Sequence, residues 1–225
     1  MLWMVASAAR LWMTKLNTLN LHGREHWYRA REHGRGLLTF SNHVSLFDDP
    51  LLTACFASHD VRTTRWISAD ALNFFGDPVR AAIFNTGKAV PIVRGVGLDQ
   101  PGMHFLADRL RDGEWVHVFP EGGRTREAGA ALRLPMKPGL AHLVRDAKPM
   151  LLPFRHWGME RVLPIGATVP RRGQQVDVVF GPGVDGAELA DWSVAQITDW
   201  VEDTLLDLHL PNAAPRVPRI TATGA

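Results

Sequence analysis

The chain predicts a single α/β domain, a central mixed sheet flanked by helices, on three observations. Short apolar runs of strand length alternate with stretches of helical periodicity, the pattern of a layered α/β architecture. Glycine, proline and aspartate punctuate them, as at Gly76-Asp77-Pro78 and Asp112-Gly113. A length of 225 residues lets such a domain bury about 70% of its unfolded surface, so no metal or disulfide staple is required. Cys55 is the only cysteine, which excludes a disulfide framework and a thiolate metal cage.

The elements follow in order. Residues 1–19 read as an amphipathic helix. At about 100° per residue, Leu2, Val5, Ala9, Trp12, Met13, Leu16 and Leu19 share one arc, opposite Ser7, Arg10, Thr14, Asn17 and Thr18. Arg10 and Lys15 interrupt the run before spanning length, so an in-plane interfacial helix is expected, with a helix packed on its own domain or a targeting segment as the alternatives. Gly36–Ser41 is the first strand, and a helix is expected from Asp49-Pro50, with Asp49 as N-cap and Pro50 at the first helical position. Arg65–Ala69 is the second strand. A helical stretch over Ala71–Phe84 breaks around Gly76-Asp77-Pro78. Ala89–Arg94 is the third strand, Asp99 starts a helix that reaches Arg111, and Glu114–Phe119 is the fourth strand. A helix over Pro138–Asp146 precedes strands at Met150–Phe154 and Gln175–Phe180. Ser193 and Gln196 have capping-box spacing and open a last helix. The expected organisation is an interfacial helix over 1–19, a domain over 20–210 and a loosely held tail over 211–225.

Net charge is +2, too small for a nucleic-acid footprint, and no long basic run or zinc-finger spacing is present. Eight tryptophans against one tyrosine fit a protein that meets a membrane interface.

The chemistry-bearing residues cluster just after the strands. His43 and Asp48 lie five positions apart. On a straight helix they would diverge by about 140°, so they meet only if the chain turns between them. An imidazole with a carboxylate on its second nitrogen is the usual device for removing a proton from a hydroxyl near neutral pH. Arg94 at a strand end can clamp a phosphate or pair with a surface carboxylate. Phe119-Pro120-Glu121-Gly122-Gly123-Arg124-Thr125 combines backbone N–H groups free to approach an anion with the charge of Arg124. Glu121 there is equally suited to partnering a buried arginine. Pro153, in Pro149–His156, lies on a strand that lines either an apolar groove or ordinary core.

In their order along the chain, these blocks resemble the glycerolipid acyltransferase family, with its H-x-x-x-x-D, Gly-to-Arg, F-P-E-G and Pro-containing blocks. The strings SNHVSLFDDP, GKAVPIVRG, EWVHVFPEGG and PFRHWGMERVLP resemble the tafazzin-like transacylases within it, over roughly residues 20–185. The resemblance implies His43 as general base and Asp48 as its orienting carboxylate. It also implies Arg94 as a phosphate contact, Glu121, Gly122, Gly123 and Arg124 as substrate-binding residues, and Pro153 at the acyl groove. It implies transfer of a fatty acyl chain from a phospholipid to a lysophospholipid without coenzyme A, a bound cofactor or a metal. The alternative is a lysophosphatidate-type enzyme that uses acyl-CoA, towards which Gly123-Arg124-Thr125 leans. Peripheral attachment to a bacterial or mitochondrial membrane through residues 1–19 is the expected localisation.

Overall fold

The computed structural model describes residues 2–56 and 63–211. The tail expected over 211–225 therefore lies outside the described residues beyond Pro211. Helix α1 (Leu2–Leu11) runs into a π-helical turn at Trp12–Leu16. β1 (Thr18–His22) and α2 (Arg24–Glu32) precede β2 (Leu37–Phe40). A π-helical turn at Asp48–Thr53 leads into α3 (Ala54–Phe56), and β3 (Trp66–Asp70), α4 (Ala71–Phe75), α5 (Pro78–Thr86) and β4 (Ala89–Ile92) follow. Then come α6 (Pro101–Arg111), β5 (Trp115–Val118), α7 (Gly139–Ala147), β6 (Met150–Trp157), α8 (Met159–Val162), β7 (Gln175–Phe180), β8 (Val184–Asp185) and α9 (Val194–Asp207).

The sheet has the order β1-β7-β6-β2-β5-β3-β4, with β8 paired to β6. Strands β6, β2, β5, β3 and β4 run parallel, while β7 is antiparallel to β6. Central strands β2 and β5 are buried along their whole length, which is why each reads as a near-continuous apolar run. On one face, Trp27 packs edge-on against Trp115 and Phe56, and Phe154 and Phe180 complete the cluster. On the other, Leu106 and Leu110 of α6, Leu143 and Val144 of α7, and Ile197, Val201 and Leu205 of α9 form a second core.

Four expectations change. The N-terminal helix ends at Leu16, short of residue 19, because Thr18–His22 leaves it to pair in parallel with β7. Of its apolar arc, Ala9 and Met13 are buried in the domain's own core, and Trp12 and Leu19 pack against it. Asp49 is not a cap. It lies inside the first turn after Asp48, and its carboxylate takes the Nε and a terminal nitrogen of Arg65. The cap of α6 is Gln100 rather than Asp99, with Pro101 at the first helical position. Asp99 instead accepts a bond from His104 at 2.7 Å. The capping box of Ser193 and Gln196 is present, each side chain accepting from the other's backbone N–H.

Candidate active site

Clefts in sheets of this type open at the carboxyl ends of parallel strands. Here β2 delivers His43, β5 delivers Phe119 to Glu121, β3 delivers Asp70 and β4 delivers Arg94. One cleft of about 910 Å³ runs across these ends, lined by His43, Arg94, Phe119, Gly122, Gly123 and Lys137 among others.

His43 and Asp48 meet across the turn. His43 Nδ1 lies 2.9 Å from Asp48 Oδ2, and the backbone turns back through Asp48 N–H to Ser45 O. The same carboxylate oxygen accepts the N–H groups of Val44 (2.6 Å) and Ser45 (2.8 Å). Asp48 is 1% exposed, so these donors stabilise a charge that water does not reach. With Nδ1 held by Asp48, Nε2 is the imidazole nitrogen left for a substrate proton. The Phe119 ring stacks on the imidazole at 4.0 Å and 11° and fixes its plane.

The glycine-rich block holds the backbone of His43 at both ends. Glu121 Oε1 accepts the His43 N–H at 2.6 Å, and Thr125 N–H donates to the His43 carbonyl at 2.8 Å. Glu121 Oε2 accepts the Arg133 N–H at 2.6 Å, so backbone donors engage both of its oxygens. Burial pushes its carboxyl above the ordinary value, against the lowering effect of those two donors. Asn42 and His156 clamp the other side. Asn42 Oδ1 and Nδ2 pair with the His156 N–H and C=O, both at 2.9 Å, and His156 Nε2 donates to the Asn42 carbonyl at 3.0 Å.

Arg94 lines the cleft with its side chain 61% exposed, and its Nε sits 2.8 Å from Asp70 Oδ2. Of the two readings of its sequence position, the pair with a carboxylate is present, and the side chain also faces the cleft. Buried Gln100 fixes the turn that carries it, accepting Val93 N–H and donating to the Val93 and Gly97 carbonyls. Gly122 and Gly123 reach the cleft, but Arg124 is not among its lining residues. Neither is Pro153, which is buried in β6 opposite Phe40, where its carbonyl accepts Gly181 N–H. Ser45, the motif's hydroxyl, is fully buried and donates to the Leu163 carbonyl at 3.0 Å. Among the described residues, no group of three or more His, Cys, Asp or Glu is placed to hold a metal ion.

The acyltransferase family profile matches residues 18–157. The chain belongs to this acyltransferase family. It is 35% identical over 168 residues to N-acylphosphatidylethanolamine synthase of Arabidopsis thaliana, covering 70% of this chain and 58% of that protein. It is 31% identical over 182 residues to a tafazzin of Dictyostelium discoideum (74% and 63%) and 33% identical over 179 residues to Drosophila melanogaster tafazzin (76% and 47%). The chain thus spans roughly half to just under two thirds of these relatives' lengths. The crystal structure of the 1-acyl-sn-glycerophosphate acyltransferase of Thermotoga maritima superposes with a TM-score of 0.67 over 91% of this chain and 75% of that one, at 20% identity. At that identity the likeness establishes a shared fold, and the tafazzin matches agree with the resemblance read from the four sequence blocks.

Phe119 and Thr125 lie within the glycine-rich block, whose pattern assigns them no role, and Asn42, His156 and Gln100 are site residues that the motifs alone do not single out. For Phe119 a signal exists, since it directly precedes Pro120-Glu121-Gly122. For Asn42 and His156, 114 positions apart, a single sequence offers none.

One acid sensitivity is built into the site. His117, on β5 with its Nδ1 2.8 Å from Thr39 Oγ1, is fully buried, and burial lowers its pKa from 6.5 to about 3. Burial lowers His156 in the same direction. An unfolded chain binds these protons below pH 6.5 while the folded one does not, so stability is full above that pH and is lost as pH falls towards 3. For His117 the loss at pH 5 is about 2 kcal/mol at about 1.4 kcal/mol per unit. Glu121, with its raised pKa, acts in the opposite sense. Urea melts of wild type and His117→Gln at pH 7 and pH 5 isolate the histidine, and the variant is expected to lose less between the two. Equal losses would contradict this reading of His117.

Proposed function

We propose that the protein is a phospholipid–lysophospholipid transacylase, and the observation that carries this is the His43–Asp48 pair opening on a largely apolar cleft with Arg94 at its side. His43 Nε2 takes the proton from a free glycerol hydroxyl of a lysophospholipid held near Arg94. The resulting alkoxide attacks an ester carbonyl of a second phospholipid. The tetrahedral oxyanion collapses, the donor's glycerol oxygen leaves, and the His43 imidazolium returns the proton to it. The ester broken and the ester formed are nearly equal in energy, so no activated thioester is needed. Asp48 keeps Nε2 free to accept the proton and stabilises the imidazolium that forms. Similarity to the two tafazzins supports this reading. Its finer form, remodelling of cardiolipin on a membrane surface, rests on the resemblance.

The test offers purified protein a lysophospholipid with either phosphatidylcholine or acyl-CoA as donor. Transfer from phosphatidylcholine is expected, whereas transfer from acyl-CoA alone would select the lysophosphatidate-type reading. A second acceptor chemistry is favoured by the similarity to the Arabidopsis N-acylphosphatidylethanolamine synthase. In that case the accepting group is an ethanolamine amine, and the product is an alkali-resistant amide rather than an ester.

Access from a bilayer fits the rim. Leu46, Ile83 and Val93 line the cleft and are 46%, 55% and 41% exposed, and Leu72 on neighbouring α4 is 83% exposed. Among the described residues, no helix is long and apolar enough to cross a membrane. The exposed apolar rim favours peripheral contact, with exposed Leu11 and Leu16 of the N-terminal helix as an accessory. Leu72→Glu with Ile83→Glu is expected to cut sedimentation with liposomes several-fold and to leave the melting temperature within a few degrees. Unchanged sedimentation would remove the rim from the account.

A further inference from the structure

We propose that Lys137 holds the phosphodiester of the acyl donor, apart from the acceptor contact at Arg94, making the cleft a site for two lipid phosphates. The inference rests on the transacylase reading. In direct transfer both lipids occupy the cleft together, because the acceptor's oxygen attacks the donor's carbonyl without an intervening acyl-enzyme. Each lipid's phosphate lies only a few bonds from its reacting group. Two phosphates then stand near the reacting atoms, and one guanidinium already shared with Asp70 cannot neutralise both.

Lys137 meets the requirement from a neighbouring strand end. Its backbone N–H donates to the Pro120 carbonyl at 2.7 Å, which ties it beside Phe119, the residue stacked on His43. Its side chain lines the cleft, and among the described residues no hydrogen bond or ion pair engages its ammonium. Arg94, by contrast, follows β4, two strands from the end of β5 that carries Pro120, or about 10 Å at normal strand spacing. The two cations therefore enter the cleft from different strand ends.

Gly122 is shaped for this lysine. It has φ +66°, and a Cβ there would lie 2.9 Å from Lys137 Cγ, 3.8 Å from Cδ and 3.7 Å from Cε. The lysine stem lies across the glycine, and any side chain at 122 would displace it. The second half of F-P-E-G thus has a reason beyond backbone freedom: it leaves a path for a cation into the cleft. The reaction is unchanged in its balance. The acceptor's proton passes to His43, the donor's acyl C–O bond breaks as the acceptor's forms, and the proton goes to the departing lysophospholipid. Lys137 moves no proton and holds only charge.

The experiment compares wild type, Lys137→Met, which keeps the stem without the charge, and Lys137→Arg. Each is assayed with phosphatidylcholine and with uncharged diacylglycerol as donor, and with acceptor concentration varied separately. Lys137→Met should raise the KM for phosphatidylcholine about tenfold or more, the range for a charge-assisted contact, and lower the preference for phosphatidylcholine over diacylglycerol by the same factor. Lys137→Arg should restore most of it, and Arg94→Met should raise the acceptor KM instead. An unchanged donor KM, or a rise confined to the acceptor, would overturn the assignment. Binding of a short-chain diether phosphatidylcholine, which has no ester to transfer, reads the same contact without turnover. If wild type transfers nothing, the transacylase reading fails. Lys137 is then judged by whether Lys137→Met weakens diether binding, and equal binding by wild type and variant would refute it.

Discussion

His43→Ala is expected to cut acyl transfer sharply while leaving the fold intact. The expected loss in kcat is about 10²- to 10⁴-fold, the usual worth of a positioned general base, with the residue supplied by substrate positioning. The fold should survive because the contacts that hold this turn are made by the backbone of residue 43, to Glu121 and Thr125, and by Asp48 with Val44 and Ser45. Alanine keeps all of these and loses only the imidazole and its stack on Phe119. Circular dichroism and a melting curve report the fold, and label transfer reports the chemistry. A near-wild-type rate in a folded variant would remove His43 from the mechanism.

Asp48→Asn carries the second-largest effect, again about 10²- to 10⁴-fold in kcat. An amide at this position has no charge to stabilise an imidazolium, and its NH₂ competes with the imidazole for the correct tautomer. Three donors converge on Asp48 Oδ2, so the variant also loosens the turn between β2 and α3. The lipid KM values should stay within about threefold, because Asp48 is buried beneath His43 and contacts no substrate. A loss expressed in KM with kcat unchanged would recast the carboxylate as a binding group.

The parallel strands were legible because burial on both faces leaves an unbroken apolar signature, as in Leu37–Phe40 and Trp115–Val118. The four motif blocks were legible as a set because three of them, at His43, Arg94 and Glu121, follow the carboxyl ends of β2, β4 and β5, which the fold brings to one edge. The turn between His43 and Asp48 follows from helix geometry alone. What escaped has physical reasons. Thr18–His22 is short, and Leu19 also fits the apolar arc of the helix before it, so only its pairing with β7 settles it as a strand. Helix α2 buries just Trp27 and Ala30 of its nine residues, too few to stand out as a periodic stripe. An amphipathic arc does not distinguish a bilayer from the chain's own core, and Ala9 and Met13 chose the core. Asp49, beside Asp48 and of equal capping propensity, is claimed by Arg65 from sixteen positions away. Pro153 belongs to a family block by order, yet its place in β6 is set by the sheet.

The central claim is that His43 and Asp48 pass an acyl chain directly between two phospholipids. The most direct measurement follows isotopically labelled acyl chains from phosphatidylcholine to a lysophospholipid of different head group, with purified protein, no coenzyme A, and His43→Ala as control. Label is expected to move until donor and acceptor share it in proportion to their amounts, to return when the labelled product is offered as donor, and to move at least about 100-fold more slowly in the control. Label that stays on phosphatidylcholine until coenzyme A or acyl-CoA is added would contradict the claim.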